Sequence, residues 1–580
     1  MRHMLGFFLV VTVVMMSSIF AQNPGNLWTA PEHPESVAGE LLVKFTNQVS
    51  AQAAGNQLQS MGVQVVKEYT QFGIFKCSYD PNADMDAIIN QANNNPNIEY
   101  CEPNYIYHIL NTPDDSDYSD QWALNNTGQT GGTSDADIDA PEAWDIQTGS
   151  RDIVVGIIDT GIDYRHPDLV DNMWTNPGES GNGKETNGVD DDGNGFVDDF
   201  RGWDFINNDN DPMDDNQHGT HVGGIVGAVG NNNRGVSGAN WNVSLVGLKF
   251  LSGSGSGSTA DAVDAIQYAA QMGIPILNNS WGGGGFSQAL ADAIEQANQA
   301  GILFVAAAGN SSSNNDNSAN YPSNYESDNV LAVASSTDRD GMSSFSSFGA
   351  TTVDLAAPGS DILSTTPGNR YQSFSGTSMA TPYVAGVAAL AMAQFPGIDH
   401  VTLKFRIMGS AEPKSAFEDR TVTGGRLNAA NALSTDPLIT TVKQKDTDDV
   451  QNPYDITAFI VDDGSISNAT VFYSLAGAGS GSDSVSMSAN GVEYSGQVPA
   501  QAIETTVTYF VRATDNDGNT VQGQVNTFKV TANPDDGGCG SAPPISIDTG
   551  NINFDGLATV ALNLLLFIVL PYFLLRRRLL

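Results

Sequence analysis

The chain has 580 residues, of which 66 are acidic and 24 basic, for a net charge of −42. That length allows several domains, and the charge excludes nucleic acid as a partner, because phosphate recognition needs a positive surface. Three cysteines, Cys77, Cys101 and Cys539, are too few for a disulfide framework. None falls between residues 102 and 538, which excludes a thiolate nucleophile or a zinc–thiolate site there.

The N-terminal segment carries Arg2, an apolar run over 5–16 and Ser17-Ser18-Ile19-Phe20-Ala21. It is too short to span a membrane comfortably and reads as a secretory signal peptide, residues 1–21, cut after Ala21. Over 36–110 the pattern predicts strand, helix (51–61), strands at 63–69 and 73–79, helix (85–93) and a last strand from 98. That order is ferredoxin-like. It places Cys77 and Cys101 on strands that are not neighbours, as two buried thiols rather than a bridge.

An acidic, breaker-rich joint over 111–120 leads into a segment, 115–434, where short apolar runs alternate with helical spacing. Runs at 153–158, 243–249, 274–277, 303–308 and 330–334, with helices at 260–272 and 288–299, imply a parallel sheet covered on both faces, an α/β fold. Residues 437–533 change to alternating strands separated by Gly-, Asp- and Asn-rich turns, which resembles a β-sandwich of the immunoglobulin or fibronectin type III kind. A Gly-, Asp- and Pro-rich tether, 534–556, precedes an apolar stretch closed by Arg576, Arg577 and Arg578. Residues 557–580 therefore read as a transmembrane segment with its Arg cluster in the cytoplasm and the body of the protein outside.

Three motifs in the α/β segment carry chemistry. An apolar strand ends as Ile157-Ile158-Asp159-Thr160-Gly161, and His218-Gly219-Thr220-His221 opens one helix. Ser375-Gly376-Thr377-Ser378-Met379-Ala380 opens another. Each alone has an ordinary structural explanation, since Asp at a strand end and Ser at a helix start are common caps. Together they are far more specific, because their chain order Asp, His, Ser resembles that of the subtilisin catalytic triad.

On these motifs residues 115–434 resemble the subtilisin-like serine proteases, the subtilases. The resemblance implies a seven-stranded parallel sheet with helices on both faces, and a serine endopeptidase acting on protein or peptide substrates through an acyl-enzyme. Asp159, His218 and Ser378 match the triad, and Asn310, in Ala307-Ala308-Gly309-Asn310, matches the oxyanion asparagine. Ser280, Trp281 and Gly282 match the strand whose main chain pairs with an extended substrate. His221 and His166 are expected to be packing or hydrogen-bonding residues. A rival reading, a catalytically inactive surface adhesion protein working through the sandwich, has all four catalytic positions against it.

Ten Asp and one Arg crowd into residues 187–215. Asp190 to Asp199 follow the first positions of an EF-hand loop, with Gly195 at the sixth. The ligands would be Asp190, Asp192, Asn194, the Phe196 carbonyl and Asp198. Arg201 stands where the closing acid belongs, so Asp199 takes that role. Carboxylates packed so densely repel one another without a cation, which points to structural Ca2+. The subtilase resemblance implies a second calcium site at Asp168, Asn232 and Val236.

The segment 36–110 resembles the subtilase propeptide, whose ending matches Asn97-Ile98-Glu99-Tyr100-Cys101-Glu102-Pro103. It is expected to act as the enzyme's own inhibitor and to be removed by self-cleavage within 107–117, after Leu110. Gly537-Gly538-Cys539-Gly540 before the apolar span resembles the C-terminal sorting signals of Gram-negative bacteria. The expected destination is therefore the cell surface, outer membrane or medium of such a bacterium, reached through export and sorting machinery, with a plain membrane anchor as the alternative.

Overall fold

The computed structural model describes residues 36–46, 50–80, 83, 85–105, 111–475 and 483–531. The chain divides into two units, Met1–Val530 and Thr531–Leu580, and every element below belongs to the first. The signal peptide, the cleavage position after Leu110, the tether, Cys539 and the apolar span over 557–580 lie outside the described residues. Among the described residues no helix is long and apolar enough to cross a membrane.

Residues 36–105 form a four-stranded antiparallel sheet in the order Gln64–Tyr69, Ile74–Ser78, Ser36–Phe45, Ile98–Tyr105, with helices Ala51–Leu58 and Met85–Asn93 in the two crossovers. This is the ferredoxin-like order. Cys77 faces Leu41 and Cys101 faces Val43, so the two thiols flank the central strand from opposite sides. Both are free and buried, and burial pushes each thiol up to about 12.

The α/β body is built on a sheet in the order Glu412–Pro413, Gly425–Arg426, Leu355–Pro358, Val330–Ser336, Leu303–Ala307, Ile276–Asn279, Gly149–Asp159, Asn242–Lys249, Gly202–Asp204. Seven of these are the expected parallel strands. The sheet runs to nine because two 2-residue strands extend its edge, held by the buried guanidinium of Arg426 between Asp340 and Glu412, each at 2.5 Å. Such short polar strands leave no apolar run to read in the sequence. The long strands are apolar on both sides. Val155 and Ile157 face one core with Val384 and Leu390, while Ile158, Val246 and Leu248 face another with Ile266 and Phe304.

Strand order reverses about the Gly149–Asp159 strand, whose two neighbours come later in the chain on opposite sides. The crevice beyond the C-terminal ends of strands at such a reversal is where open α/β sheets bind ligands. Asp159 and Asn279 end two of those strands at this crevice.

Residues 438–529 form two antiparallel sheets that share one apolar core, including Ile456, Val471, Tyr509 and Phe528. The last part of this segment holds two strands, Thr520–Gln522 and Asn526–Lys529, and Gly523, just after the first, still donates its N–H to the Val511 carbonyl at 2.8 Å. Phe405, on helix His400–Gly409, stacks on Phe459 of this part at 3.7 Å between ring centroids.

Candidate active site

Asp159 is fully buried at the end of its strand, and its carboxylate accepts the Nδ1–H of His218 at 2.8 Å and the Thr160 amide at 2.7 Å. His218 opens the helix His218–Gly227, and Gly219 lets that helix start approach the Asp159 strand end. A Cβ on Gly219 would stand 2.1 Å from the Gly161 carbonyl oxygen and 3.2 Å from the Asp159 Cβ. Burial disfavours the charged imidazolium, but the charge and hydrogen bond of Asp159, with the charge of Asp214, outweigh it. The pKa of His218 is raised as a result.

Ser378 lies in the first turn of helix Thr377–Gln394, where the unpaired N–H groups and the dipole favour negative charge. Its Oγ donates to the Ser280 carbonyl at 3.0 Å rather than to His218, and Ser280 Oγ donates to the Ser378 carbonyl at 2.8 Å. The amide oxygen of Asn310 accepts from the Thr377 N–H at 2.8 Å and the Thr377 hydroxyl at 3.0 Å, which turns its NH2 outward. That NH2 and the Ser378 backbone N–H converge. A Cβ on Gly376 would lie 3.4 Å from the first and 3.6 Å from the second, so the missing side chain keeps the space in front of both donors open. Two converging donors, one of them on the residue that carries a hydroxyl, can hold an oxyanion, and a carboxylate-bound imidazole is the base that such a hydroxyl needs to attack a carbonyl.

The strand Ile276–Asn279 ends before Ser280, so Ser280, Trp281 and Gly282 follow it rather than lie within it. Trp281 packs on Phe250 at 4.8 Å, and the Gly283 N–H donates to the Tyr321 carbonyl at 3.0 Å. Asn320 was not singled out from the sequence. Its amide sits between the two segments, 3.1 Å from a Cβ on Gly282 and 3.3 Å from one on Gly309. His221 is buried, stacks on Phe374 and places Nε2 near the carbonyls of Ile362 and Gln372. Burial pushes it down to about 3, so it is a neutral packing residue. His166 is likewise buried, its Nδ1 accepting from the Asp168 amide at 3.2 Å.

The acidic loop differs from the EF-hand reading in its ligand set. Asp190 turns both carboxylate oxygens to the backbone N–H groups of Gly193, Asn194 and Gly195, and Asp198 accepts the Gly188 N–H with both of its own. Asn194 turns its oxygen back to the Phe196 N–H and its NH2 to Asp199. The carboxylates that converge are Asp192, Asp199 and Glu179, the last contributed from outside the motif. Glu179 is fully buried; Oε1 accepts the Asp191 amide, and Oε2 has no partner. A buried carboxylate oxygen without a donor fits a cation better than it fits an empty loop. At the second site, Asp168 is buried and accepts from the Asn232 NH2 at 2.7 Å and the Val236 N–H at 3.0 Å. The Asn232 amide oxygen is buried there without a partner.

Comparison with known proteins gives two family matches: the Subtilase family over residues 150–442 and the Fervidolysin N-terminal prodomain over residues 23–104. A thermophilic serine proteinase of Bacillus sp. strain AK1 is 36% identical over 403 residues, covering 69% of this chain and 88% of that protein. Thermitase of Thermoactinomyces vulgaris is 41% identical over 296 residues, 51% of this chain and 93% of its own. A halolysin-like extracellular serine protease of Natrialba magadii is 33% identical over 416 residues, covering 70% of each chain.

Proposed function

This chain belongs to the subtilase family, a serine endopeptidase with an N-terminal prodomain, and from that premise we propose that Asp159, His218 and Ser378 are its catalytic triad. The observation that carries this reading is the buried Asp159 bound at 2.8 Å to His218, with Ser378 in the first turn of a helix beside the amide of Asn310. In the reaction Ser378 leaves the Ser280 carbonyl and turns to the imidazole, a bond that commonly tightens only when substrate binds. His218 takes the hydroxyl proton as Oγ attacks the peptide carbonyl, Asp159 stabilises the imidazolium, and the amide of Asn310 with the Ser378 N–H holds the oxyanion. His218 then protonates the leaving amine, and water repeats the sequence on the acyl-enzyme. Ser280, Trp281 and Gly282, free of the sheet, pair with the extended substrate.

In the same proposal structural calcium is held by Glu179, Asp192 and Asp199, and by Asp168 with Asn232. The ion would neutralise buried carboxylates and stabilise the fold by mass action. The prodomain inhibits the enzyme until self-cleavage within 107–117. Extracellular relatives support export, and delivery to a Gram-negative cell surface through residues 534–580 completes the reading. Family membership gives no support to the inactive-adhesion alternative. Ser378→Ala should leave an uncleaved precursor without caseinolytic activity. Normal processing in that variant would remove the triad and the autocatalysis together, and mass spectrometry of the mature C-terminus tests the sorting step.

A further inference from the structure

A second carboxylate lies beside the His218–Asp159 pair and takes no part in the chemistry above. Asp214 is 5% exposed, four residues ahead of His218. One of its oxygens accepts from the Thr160 hydroxyl at 2.9 Å, the Asn216 N–H at 2.8 Å and the Gln217 N–H at 3.0 Å. The other accepts from the Thr220 N–H at 2.9 Å and the Thr220 hydroxyl at 2.6 Å. Five donors on one buried carboxylate make a rigid node.

The node holds a strained turn. Gln217, the residue immediately before His218, has φ +135° and ψ −22°, where a non-glycine residue is held only by its surroundings. Gln217 also stands at the N-cap position and makes no side-chain cap bond. The first-turn amides of the helix are taken up instead by Asp214 at Thr220, by the Thr160 hydroxyl at Gly219 (2.9 Å) and by Asn216 at His218 (3.3 Å). Thr160 in turn donates its amide to Asp159 at 2.7 Å. A continuous chain of hydrogen bonds therefore runs from Asp159 through Thr160 to Asp214 and into the helix that carries the imidazole.

We propose that Asp214 is a positioning residue for catalysis, clamping the turn at Asn216 and Gln217 to the Asp159 strand end so that the His218 ring meets both the carboxylate and the serine. This rests on the triad reading. It has an electrostatic consequence, because Asp214 adds negative charge near the imidazole. The other charged or titratable groups there are Asp159 on the strand and Asp163 beyond it, Asp215 on the same loop, Lys249 on the adjacent strand and His221 one turn along the helix. Lys249 is paired with Asp215 at 2.7 Å and bound to the Thr160 carbonyl at 2.7 Å, and His221 is neutral. Asp214 therefore acts with Asp159 in favouring the imidazolium.

The test uses the full-length protease, matured in trans by wild type where self-processing is slow, with kcat and KM measured against pH on a chromogenic peptide. Asp214→Asn keeps the shape but sets an NH2 against amide donors and removes the charge. The expected result is a fall in kcat on the order of tenfold or more with KM little changed, and an acid limb of kcat/KM displaced to lower pH. Thr160→Val and Thr220→Val, combined, remove two donors and keep the charge, so kcat should fall with the acid limb unmoved. A folded Asp214→Asn variant whose acid limb stays in place overturns the proposal. Should that variant not fold, unchanged kcat in the double valine variant does so instead. Ser378→Ala run alongside separates the failures: near-wild-type kcat there sinks the triad, whereas a Ser378→Ala variant reduced to trace activity beside an unaffected Asp214→Asn sinks only the role of Asp214.

Discussion

Gly219→Ala puts the closest approach in the site under direct strain. The added methyl carbon would lie 2.1 Å from the Gly161 carbonyl oxygen, and contacts under 3.0 Å do not persist, so the two backbones must part by about 0.9 Å. The Gly161 turn cannot yield readily, because Gly161 itself has φ +102° and Ile162 N–H is held by the Pro212 carbonyl at 2.9 Å. The helix start therefore moves, carrying His218 with it. A displacement of that size takes the 2.8 Å bond to Asp159 to or beyond the limit of a hydrogen bond. Misplacing a catalytic group by roughly 1 Å lowers the rate on the order of a hundredfold, about 2.7 kcal/mol of barrier. The assay is kcat/KM on a chromogenic peptide, normalised by active-site titration and accompanied by a thermal melt. Gly223→Ala on the same helix is the control, because its methyl would meet only the Ile162 side chain at 3.6 Å or more. That variant should keep full activity. Gly219→Ala within about threefold of wild type would refute the claim that this close approach sets the Asp159–His218 geometry.

Three further outcomes follow from the same geometry. Asn310→Ala should lose roughly 2.7–4 kcal/mol of transition-state stabilisation, the range known for the oxyanion-hole asparagine of subtilisin, seen in kcat and not KM. Chelation should lower the melting temperature of the wild type. Glu179→Gln, which removes charge from the convergent carboxylates, should shrink the increment that added Ca2+ restores; an undiminished increment would place the ion elsewhere. Asp139→Asn tests a half-buried acid outside the triad. Burial first, then the charge of Asp137, raises the Asp139 carboxyl, with Arg426 opposing, and Asn428 donates to it. A carboxyl raised on folding contributes stability at acid pH, below its unfolded value, and loses that contribution as the pH rises through its folded value. The variant should therefore melt with the wild type near pH 4 and above it in mildly alkaline solution, and identical melting profiles would show that the charge is not confined.

Much of this protein was legible from local pattern. The apolar runs became strands because burial on both faces needs continuous hydrophobicity, and helix Gln288–Gln299 falls at the residues its spacing indicates. Asp159, His218, Ser378 and Asn310 stand in short motifs, two of which include a glycine that close packing demands, Gly161 and Gly219. The edge strands Glu412–Pro413 and Gly425–Arg426 were not legible, because ion pairs of the buried Arg426, not an apolar run, hold them.

The side-chain directions within the irregular loops belong to the tertiary structure alone. Asp190, Asp198, Asp199 and Asp214 look alike in the acidic stretch, yet two are turned to local amides, one joins the distant Glu179, and one braces the histidine turn. Glu179 carries no motif, and it meets Asp192 and Asp199 only because the loops are folded onto one another. An isolated carboxylate has no preferred direction; it points to whichever donors, or cation, the fold brings within about 3 Å, and those range here from the Gly193 amide, three residues from Asp190, to the Thr160 hydroxyl, 54 residues from Asp214.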